Sequence, residues 1–127
     1  APPMPGVEVL GRVSDAELGD RYQRAWVFRL PSSYEGFGVP YAEALVAGTP
    51  VIATPNRGAR EVLQAGGGVI VEPNRLGAAL LELLKNDHAR AALQREAAFV
   101  GQQYRLDRVA KLYEDLIADA AQLSIVK

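Results

Sequence analysis

Two carboxylates and two glycines lie close together between Pro31 and Leu45, and they are the side chains in this sequence best suited to chemistry. Glu35 and Glu43 only accept hydrogen bonds when ionised, which suits them to sugar hydroxyl groups rather than to phosphate. Gly36 and Gly38 have no Cβ, so a ligand can approach their backbone closely and positive φ is allowed. Taken alone, each acid could equally have no role in binding. Glu35 could be a solvated loop residue, and Glu43 could be an acid that is favoured in the first turn of a helix by the helix dipole.

The elements around this loop are predicted to be a strand and a helix. Trp26 to Leu30 is predicted to form a buried strand that stops at the following proline. A helix is predicted over Tyr41 to Ala47, with Pro40 suited to its first position. Its free N–H groups and positive dipole end would face the loop, and Glu43 would lean back toward them. Donors for a diphosphate would then lie between acceptors for hydroxyl groups, as a nucleotide sugar requires.

A longer string carries a family resemblance. It runs Ser33-Tyr34-Glu35-Gly36-Phe37-Gly38-Val39-Pro40, followed by Glu43-Ala44-Leu45 and Gly48-Thr49-Pro50. It resembles the signature of retaining, two-lobed (GT-B) glycosyltransferases of the group 1 type, which use UDP-, GDP- or ADP-sugars without a metal. The resemblance extends over nearly the whole chain and implies an α/β fold. That fold would be a Rossmann-like open parallel sheet with helices on both faces, forming the C-terminal, donor-binding lobe.

The resemblance also implies roles for individual residues. Glu35 would be the catalytic residue, in contact with the donor sugar near the reacting centre, and Glu43 would bind the ribose hydroxyl groups. The turn at Arg12 and Val13 would lie beside the nucleobase, although a plain strand-to-helix turn is an equal alternative. The remaining donor-binding positions, which would bind the sugar and the phosphates through their backbone, are Gly36, Phe37, Gly38 and Val39.

By the same resemblance, the full enzyme transfers a sugar from a nucleotide diphosphate sugar to a glycan, lipid or small-molecule acceptor, with retention at the anomeric carbon. No cofactor and no metal is expected, and the partners are the donor and an N-terminal acceptor-binding lobe. Such an enzyme would be cytoplasmic and able to associate peripherally with the inner face of a membrane. Because the other lobe supplies half of the cleft, we expect this chain alone to be inactive. The alternative is a non-catalytic, stand-alone lobe that binds a nucleotide sugar or pairs with a separate chain.

Composition restricts the function further. With 127 residues and a net charge of −1, the chain is predicted to be one domain, 1–127, with residues 1–6 as a disordered lead-in. The near-neutral charge gives no basic surface for nucleic acid. Zero cysteines exclude disulfides and thiolate metal sites, and the single histidine, His88, cannot assemble a metal-ligand set.

The remaining pattern predicts alternating strands and helices, which is typical of a parallel sheet. The glycines at 66–68 are predicted to form a helix cap and tight turn, since they precede a strand rather than follow one. Gly58-Ala59-Arg60 stands where the family often has two glycines, which leaves the donor sugar open. The further predicted strands are Val7–Val13, Pro50–Thr54 and Val69–Val71, and a short helix is predicted over Glu61–Gln64. The predicted helix caps are Ser14 (in a capping box with Glu17), Asn74, Asp87 and Asp107, the last before a helix within 105–122.

Overall fold

A single parallel sheet lies at the centre of the structure, which is a computed structural model. It describes residues 4–33 and 38–105, together with Glu114, Ile117 and Ala118. Within these residues the strand order follows the chain, β1-β2-β3, and both pairings are parallel. All three strands therefore end at the same edge of the sheet. The strands are β1 (Phe28–Leu30), β2 (Val51–Ala53) and β3 (Gly68–Ile70).

Helices connect and cover the strands. One helix joins β1 to β2 and another joins β2 to β3, as parallel pairing requires. Short 3-10 turns precede the fourth helix and follow the fifth, at Pro73–Arg75 and Gln102–Tyr104. The helices are α1 (Asp15–Arg24), α2 (Val39–Val46), α3 (Arg57–Leu63), α4 (Leu76–Lys85) and α5 (Asp87–Gly101).

The central strand β2 packs on both sides, and all three of its residues are fully buried. Val51 and Ala53 belong to the larger core, which includes residues of α2, α3 and α5. Ile52 points to the opposite face and packs with Leu76 and Leu83 of α4. This arrangement confirms the predicted α/β fold, a Rossmann-like open parallel sheet with helices on both faces.

The predicted first strand, Val7–Val13, is wrong. The segment pairs with no strand in the described part of the chain, and the side chain of Val9 is 87% exposed. Alternating β-branched residues form a strand only when a neighbour accepts their hydrogen bonds and covers one face, and that condition is not met here. The strand before the loop is also shorter than predicted. Trp26 is 55% exposed and lies before β1, and Arg29 within β1 is exposed rather than buried.

Three helix starts differ from the prediction. The prediction that Asn74 caps a helix is wrong. Asn74 lies inside a 3-10 turn that begins at Pro73, and α4 begins after this turn without a side-chain cap. The cap at Asp87 is also wrong, since the preceding Asn86 accepts a hydrogen bond from the Ala89 N–H at 2.9 Å. The predicted short helix at 61–64 starts earlier, at Arg57.

Other boundary predictions are confirmed. Ser14 caps α1 and accepts a hydrogen bond from the Glu17 N–H at 3.1 Å. Gly66 and Gly67 have φ of 116° and 90°, as a tight turn before β3 requires. Gly68, which was predicted to belong to the same turn, is instead the first residue of β3. The predicted cap at Asp107 lies outside the described residues, although Glu114, Ile117 and Ala118 are helical. Among the helices that the structure describes, none is long and apolar enough to cross a membrane.

Candidate functional site

A cavity of about 350 Å³ opens at the edge of the sheet where all three strands end. Open α/β sheets bind their ligands outside the carboxyl ends of the strands, and the volume is in the range of small-molecule sites. The lining comes in pairs from the segments that follow β1, β2 and β3, namely Pro31 and Ser33, Thr54 and Pro55, and Glu72 and Pro73.

The loop predicted from the sequence starts beside this cavity. Its predicted catalytic residue Glu35, and the donor-binding residues Gly36 and Phe37, lie outside the described residues. The structure places Gly38 at the start of α2, with Val39 as the first helical residue and Pro40 in the second position rather than the first. Thus α2 begins one residue earlier than the sequence predicts.

Position 38 requires a glycine, both because of its backbone conformation and because of its close packing. Its φ is 70°, in the left-handed region that favours glycine. It is buried, and a Cβ added there would lie 2.9 Å from the carbonyl oxygen of Gly58 and 2.9 Å from Cγ2 of Val62. The sequence argument assigned this glycine to close approach of a ligand, whereas the described contacts are with α3. Gly38 therefore fixes how closely the start of α2 approaches α3.

Glu43 is exposed on α2 and is in contact with Tyr22 of α1. The Tyr22 hydroxyl donates a hydrogen bond to the Glu43 carboxylate. The pKa of Tyr22 is raised strongly above its usual value, first by burial, then by the negative charge of Glu43 and by this hydrogen bond. The Tyr22 ring packs against Phe28 of β1, with centroids 5.3 Å apart. The carboxylate is thus held by one partner while it remains accessible to a ligand.

Asn56 is a buried polar residue that joins several elements, and sequence reasoning did not single it out. Its side chain is 3% exposed. The Nδ2 group lies 3.0 Å from three acceptor oxygens, which share its two hydrogens: those of the Ser32 carbonyl, the Tyr41 hydroxyl and the Thr54 carbonyl. Oδ1 accepts a hydrogen bond from the Ala59 N–H at 2.8 Å and so caps α3. An Asn at a helix start is a recognisable cap in the sequence, but its three donor contacts are not.

The other residues of this network connect the same elements. Thr54 Oγ1 donates to the Ser32 carbonyl at 2.8 Å, and the Tyr41 hydroxyl donates to the Leu30 carbonyl at 3.3 Å. Tyr41 is fully buried on α2, while Leu30 ends β1. The end of β1 and the start of α2, on either side of residues 34–37, are therefore linked through hydrogen bonds that are buried or partly buried.

The remaining predicted positions are at the periphery. Arg12 is exposed and Val13 is half-buried in the turn before α1, where the nucleobase contact was predicted. Within residues 4–33 and 38–105, no three acidic or histidine side chains gather into a group that could hold a metal ion.

Comparison with known proteins identifies a matching family and several similar proteins. A family described as glycosyl transferases group 1 matches residues 4–100. An uncharacterized glycosyltransferase of Methanocaldococcus jannaschii is 31% identical over 87% of this chain and 34% of its own length. A D-inositol 3-phosphate glycosyltransferase of Xylanimonas cellulosilytica is 35% identical over 87% of this chain and 27% of its own length.

The name of a third relative states which sugar donor that protein uses. It is a GDP-mannose-dependent monoacylated alpha-(1-6)-phosphatidylinositol monomannoside mannosyltransferase of Corynebacterium glutamicum, 33% identical over 68% of this chain and 26% of its own length. The chain thus spans about a quarter to a third of the length of these relatives. The family match covers most of the chain and contains the loop, α2 and the cavity-lining segments. The chain belongs to the group 1 glycosyl transferase family.

Proposed function

We propose that this chain is the donor-binding lobe of a retaining, metal-independent glycosyltransferase. The full enzyme would transfer a sugar from a nucleotide diphosphate sugar to a glycan, lipid or small-molecule acceptor. The observation that carries the proposal is the family match over residues 4–100, which includes the loop and α2. The cavity at the carboxyl ends of the strands supports it, because that edge is where such sheets bind nucleotides.

Each residue of the proposed site has a chemical role. Glu35 orients the donor sugar and stabilises positive charge that develops on the sugar ring as the diphosphate leaves. The backbone N–H groups of Gly36, Phe37, Gly38 and Val39, with the dipole of α2, stabilise the negative charge on the departing diphosphate. Glu43 accepts hydrogen bonds from the ribose hydroxyl groups, and its exposed carboxylate is available for that role. Arg12 and Val13 lie beside the base.

The isolated chain is proposed to be inactive, since the acceptor lobe must complete the cleft. Closure of two lobes orients both substrates and excludes water, and orientation of this kind can supply roughly 7–11 kcal/mol. A transfer assay with UDP- and GDP-sugars should therefore detect no product with these 127 residues alone. Sugar transfer by the isolated chain would contradict this part of the proposal.

Calorimetric titration with UDP, GDP and ADP tests the donor site directly. We expect one nucleotide to bind in preference to the others, and GDP is the first candidate because one relative is GDP-mannose-dependent. Glu43→Gln should weaken binding roughly 10- to 100-fold, because hydrogen bonds to charged groups are worth about 1.5–3 kcal/mol. Glu82→Gln, at an exposed position on α4, is the matched control and should bind like the wild type.

The catalytic assignment needs the full-length enzyme. There Glu35→Ala should lower kcat roughly 100-fold or more, as loss of a transition-state contact does, and leave nucleotide affinity nearly unchanged. An unchanged kcat would mean that Glu35 is not a catalytic residue. If no nucleotide binds to the wild-type protein, the proposed function itself is wrong.

A further inference from the structure

We infer that Asn56 is a positioning residue for the donor site, holding the end of β1 and the start of α2 in the arrangement that nucleotide binding requires. This inference rests on the proposed function. Among the described residues the Asn56 amide nitrogen contacts Ser32, Tyr41 and Thr54, so it would act through the backbone of Ser32 and through Tyr41. A residue that only capped α3 would need none of these donor contacts.

The orientation of the Asn56 amide follows from its partners. The Ala59 N–H can only donate, so the atom 2.8 Å from it is the amide oxygen. The nitrogen then faces the Ser32 and Thr54 carbonyl oxygens, which can only accept, and its two hydrogens serve these and the Tyr41 hydroxyl oxygen. Both ends of the amide are therefore satisfied in one orientation, and a flipped amide would place oxygen against two carbonyls.

The contacts of Asn56 lie on both sides of residues 34–37. Ser32 precedes that segment, and its carbonyl also accepts a hydrogen bond from Thr54. Tyr41 follows the segment on the first turn of α2, and its hydroxyl continues the chain of hydrogen bonds to Leu30 at the end of β1. One buried side chain thus fixes the distance between the two ends of the loop. Two residues beyond Tyr41 on the same helix lies Glu43, the proposed ribose ligand.

Burial makes these bonds hard to replace. Asn56 is 3% exposed and Thr54 is 4% exposed, so water cannot easily substitute for a lost donor. Without the amide nitrogen, the Ser32 carbonyl would keep the bond from Thr54, but the link from α3 to α2 through Tyr41 would be lost. The start of α2 would then be held less firmly relative to the end of β1, and ligand groups that need several N–H donors at once would bind less well.

Asn56→Asp separates the two roles of the side chain. An aspartate has nearly the same shape and can still accept the Ala59 N–H, so the cap of α3 is kept. It cannot donate to the Ser32 and Thr54 carbonyls, and its second oxygen would repel them. Asn86→Asp is the matched control, since Asn86 caps α5 in the same way, accepting from the Ala89 N–H at 2.9 Å, but is exposed.

The test is calorimetric titration of the full-length protein with whichever of UDP, GDP and ADP binds the wild type best. Stoichiometry reports the fraction of molecules with a competent fold, whereas Kd reports the quality of the site in those molecules. We expect Asn56→Asp to raise Kd at least about tenfold with unchanged stoichiometry, and Asn86→Asp to change neither. Wild-type Kd in Asn56→Asp, or reduced stoichiometry with wild-type Kd, would overturn the inference, since the role would then be structural only.

A second variant keeps the inference testable if Asn56→Asp does not fold. Tyr41→Phe keeps the buried ring and removes only the hydroxyl that links Asn56 to Leu30. It should raise Kd about 3- to 10-fold at full stoichiometry, and an unchanged Kd would overturn the inference. Failure of the wild type to bind any of the three nucleotides would instead overturn the proposed function, so the two failures are distinguishable.

Discussion

Tyr22 on α1 donates a hydrogen bond to Glu43 on α2, and this contact joins a half-buried aromatic residue to an exposed carboxylate. Burial and the neighbouring negative charge both favour the protonated phenol in the folded protein, so its pKa is raised above the ordinary value of 10.0. The tyrosine therefore remains a donor to Glu43 across the physiological range of pH.

The raised pKa of Tyr22 predicts how stability changes in alkali. Above about pH 10 the unfolded chain loses the Tyr22 proton while the folded chain keeps it. The folded state then binds more protons, so the free energy of unfolding falls as pH rises from there toward the raised folded value. In Tyr22→Phe the free energy of unfolding should fall less steeply with pH, because up to one proton fewer distinguishes the folded from the unfolded state. Urea unfolding at several pH values measures this slope. Tyr104, whose pKa is raised by burial and by the charge of Glu61, contributes in the same direction and is unaffected by the substitution. Equal slopes in both proteins would contradict the assignment.

Much of the fold follows from local signals in the sequence. The apolar runs Trp26–Leu30, Pro50–Thr54 and Val69–Val71 predict the three strands that form, although their bounds differ by one or two residues. Ser14 was recognised as a cap because its partner Glu17 is only three residues away. Such signals are reliable because the residues that decide the outcome are neighbours in the chain.

The errors come from competition and from distant partners. Val7–Val13 has a strand pattern, but strand formation is decided by a neighbouring strand, which the segment itself does not specify. Asp87 is a good cap, but Asn86 is equally good and comes first. The contact of Asn56 with Ser32 joins residues 24 positions apart, so no local pattern predicts it. The helix start beside residues 34–37 was therefore predictable from the sequence, whereas the hydrogen bonds that support it were not.

Arg90 links α5 to the end of α4, and its loss should destabilise the protein. It is buried, donates to the carbonyls of Leu83 and Leu84 at 3.0 and 3.3 Å, and lies 4.0 Å above the Trp26 ring. Arg90→Ala removes the donor to one buried and one partly buried carbonyl and also removes the cation–π contact, so the free energy of unfolding should fall by about 2–4 kcal/mol.

The matched control for Arg90 is Arg24→Ala, which removes an exposed pair with Asp20 and should cost less than about 1 kcal/mol. Urea unfolding followed by circular dichroism measures both. Fluorescence of Trp26, the single tryptophan, should change in the folded state of Arg90→Ala only. Equal stability of the two variants would mean that Arg90 is not part of the packing between these helices.

Gly101 allows α5 to approach α2, and a side chain there should separate the two helices. A Cβ at this position would overlap the carbonyl group of Leu45, which is a backbone contact that a rotamer change cannot relieve. Gly101→Ala should therefore lower the free energy of unfolding by about 1–3 kcal/mol or more. Gly77→Ala on α4 meets nothing within 4 Å and should raise it by about 0.5–1 kcal/mol, since alanine favours helix. Thermal unfolding distinguishes the two, and shifts of the same sign would contradict the packing argument.

Gly38 combines a left-handed backbone with close packing, and a second glycine separates these two effects. Gly11 has φ of 65°, close to the 70° of Gly38, but a Cβ there would meet nothing within 4 Å. Gly11→Ala should therefore cost only the left-handed conformation, about 1–2 kcal/mol. Gly38→Ala should cost more, since the Cβ would also press on Gly58 and Val62. Because it would move the start of α2, Gly38→Ala should also weaken nucleotide binding in molecules that remain folded, while Gly11→Ala keeps the affinity. Equal losses of stability in the two variants would mean that α2 moves away from α3 without cost, and the close contact would then not determine the position of the helix.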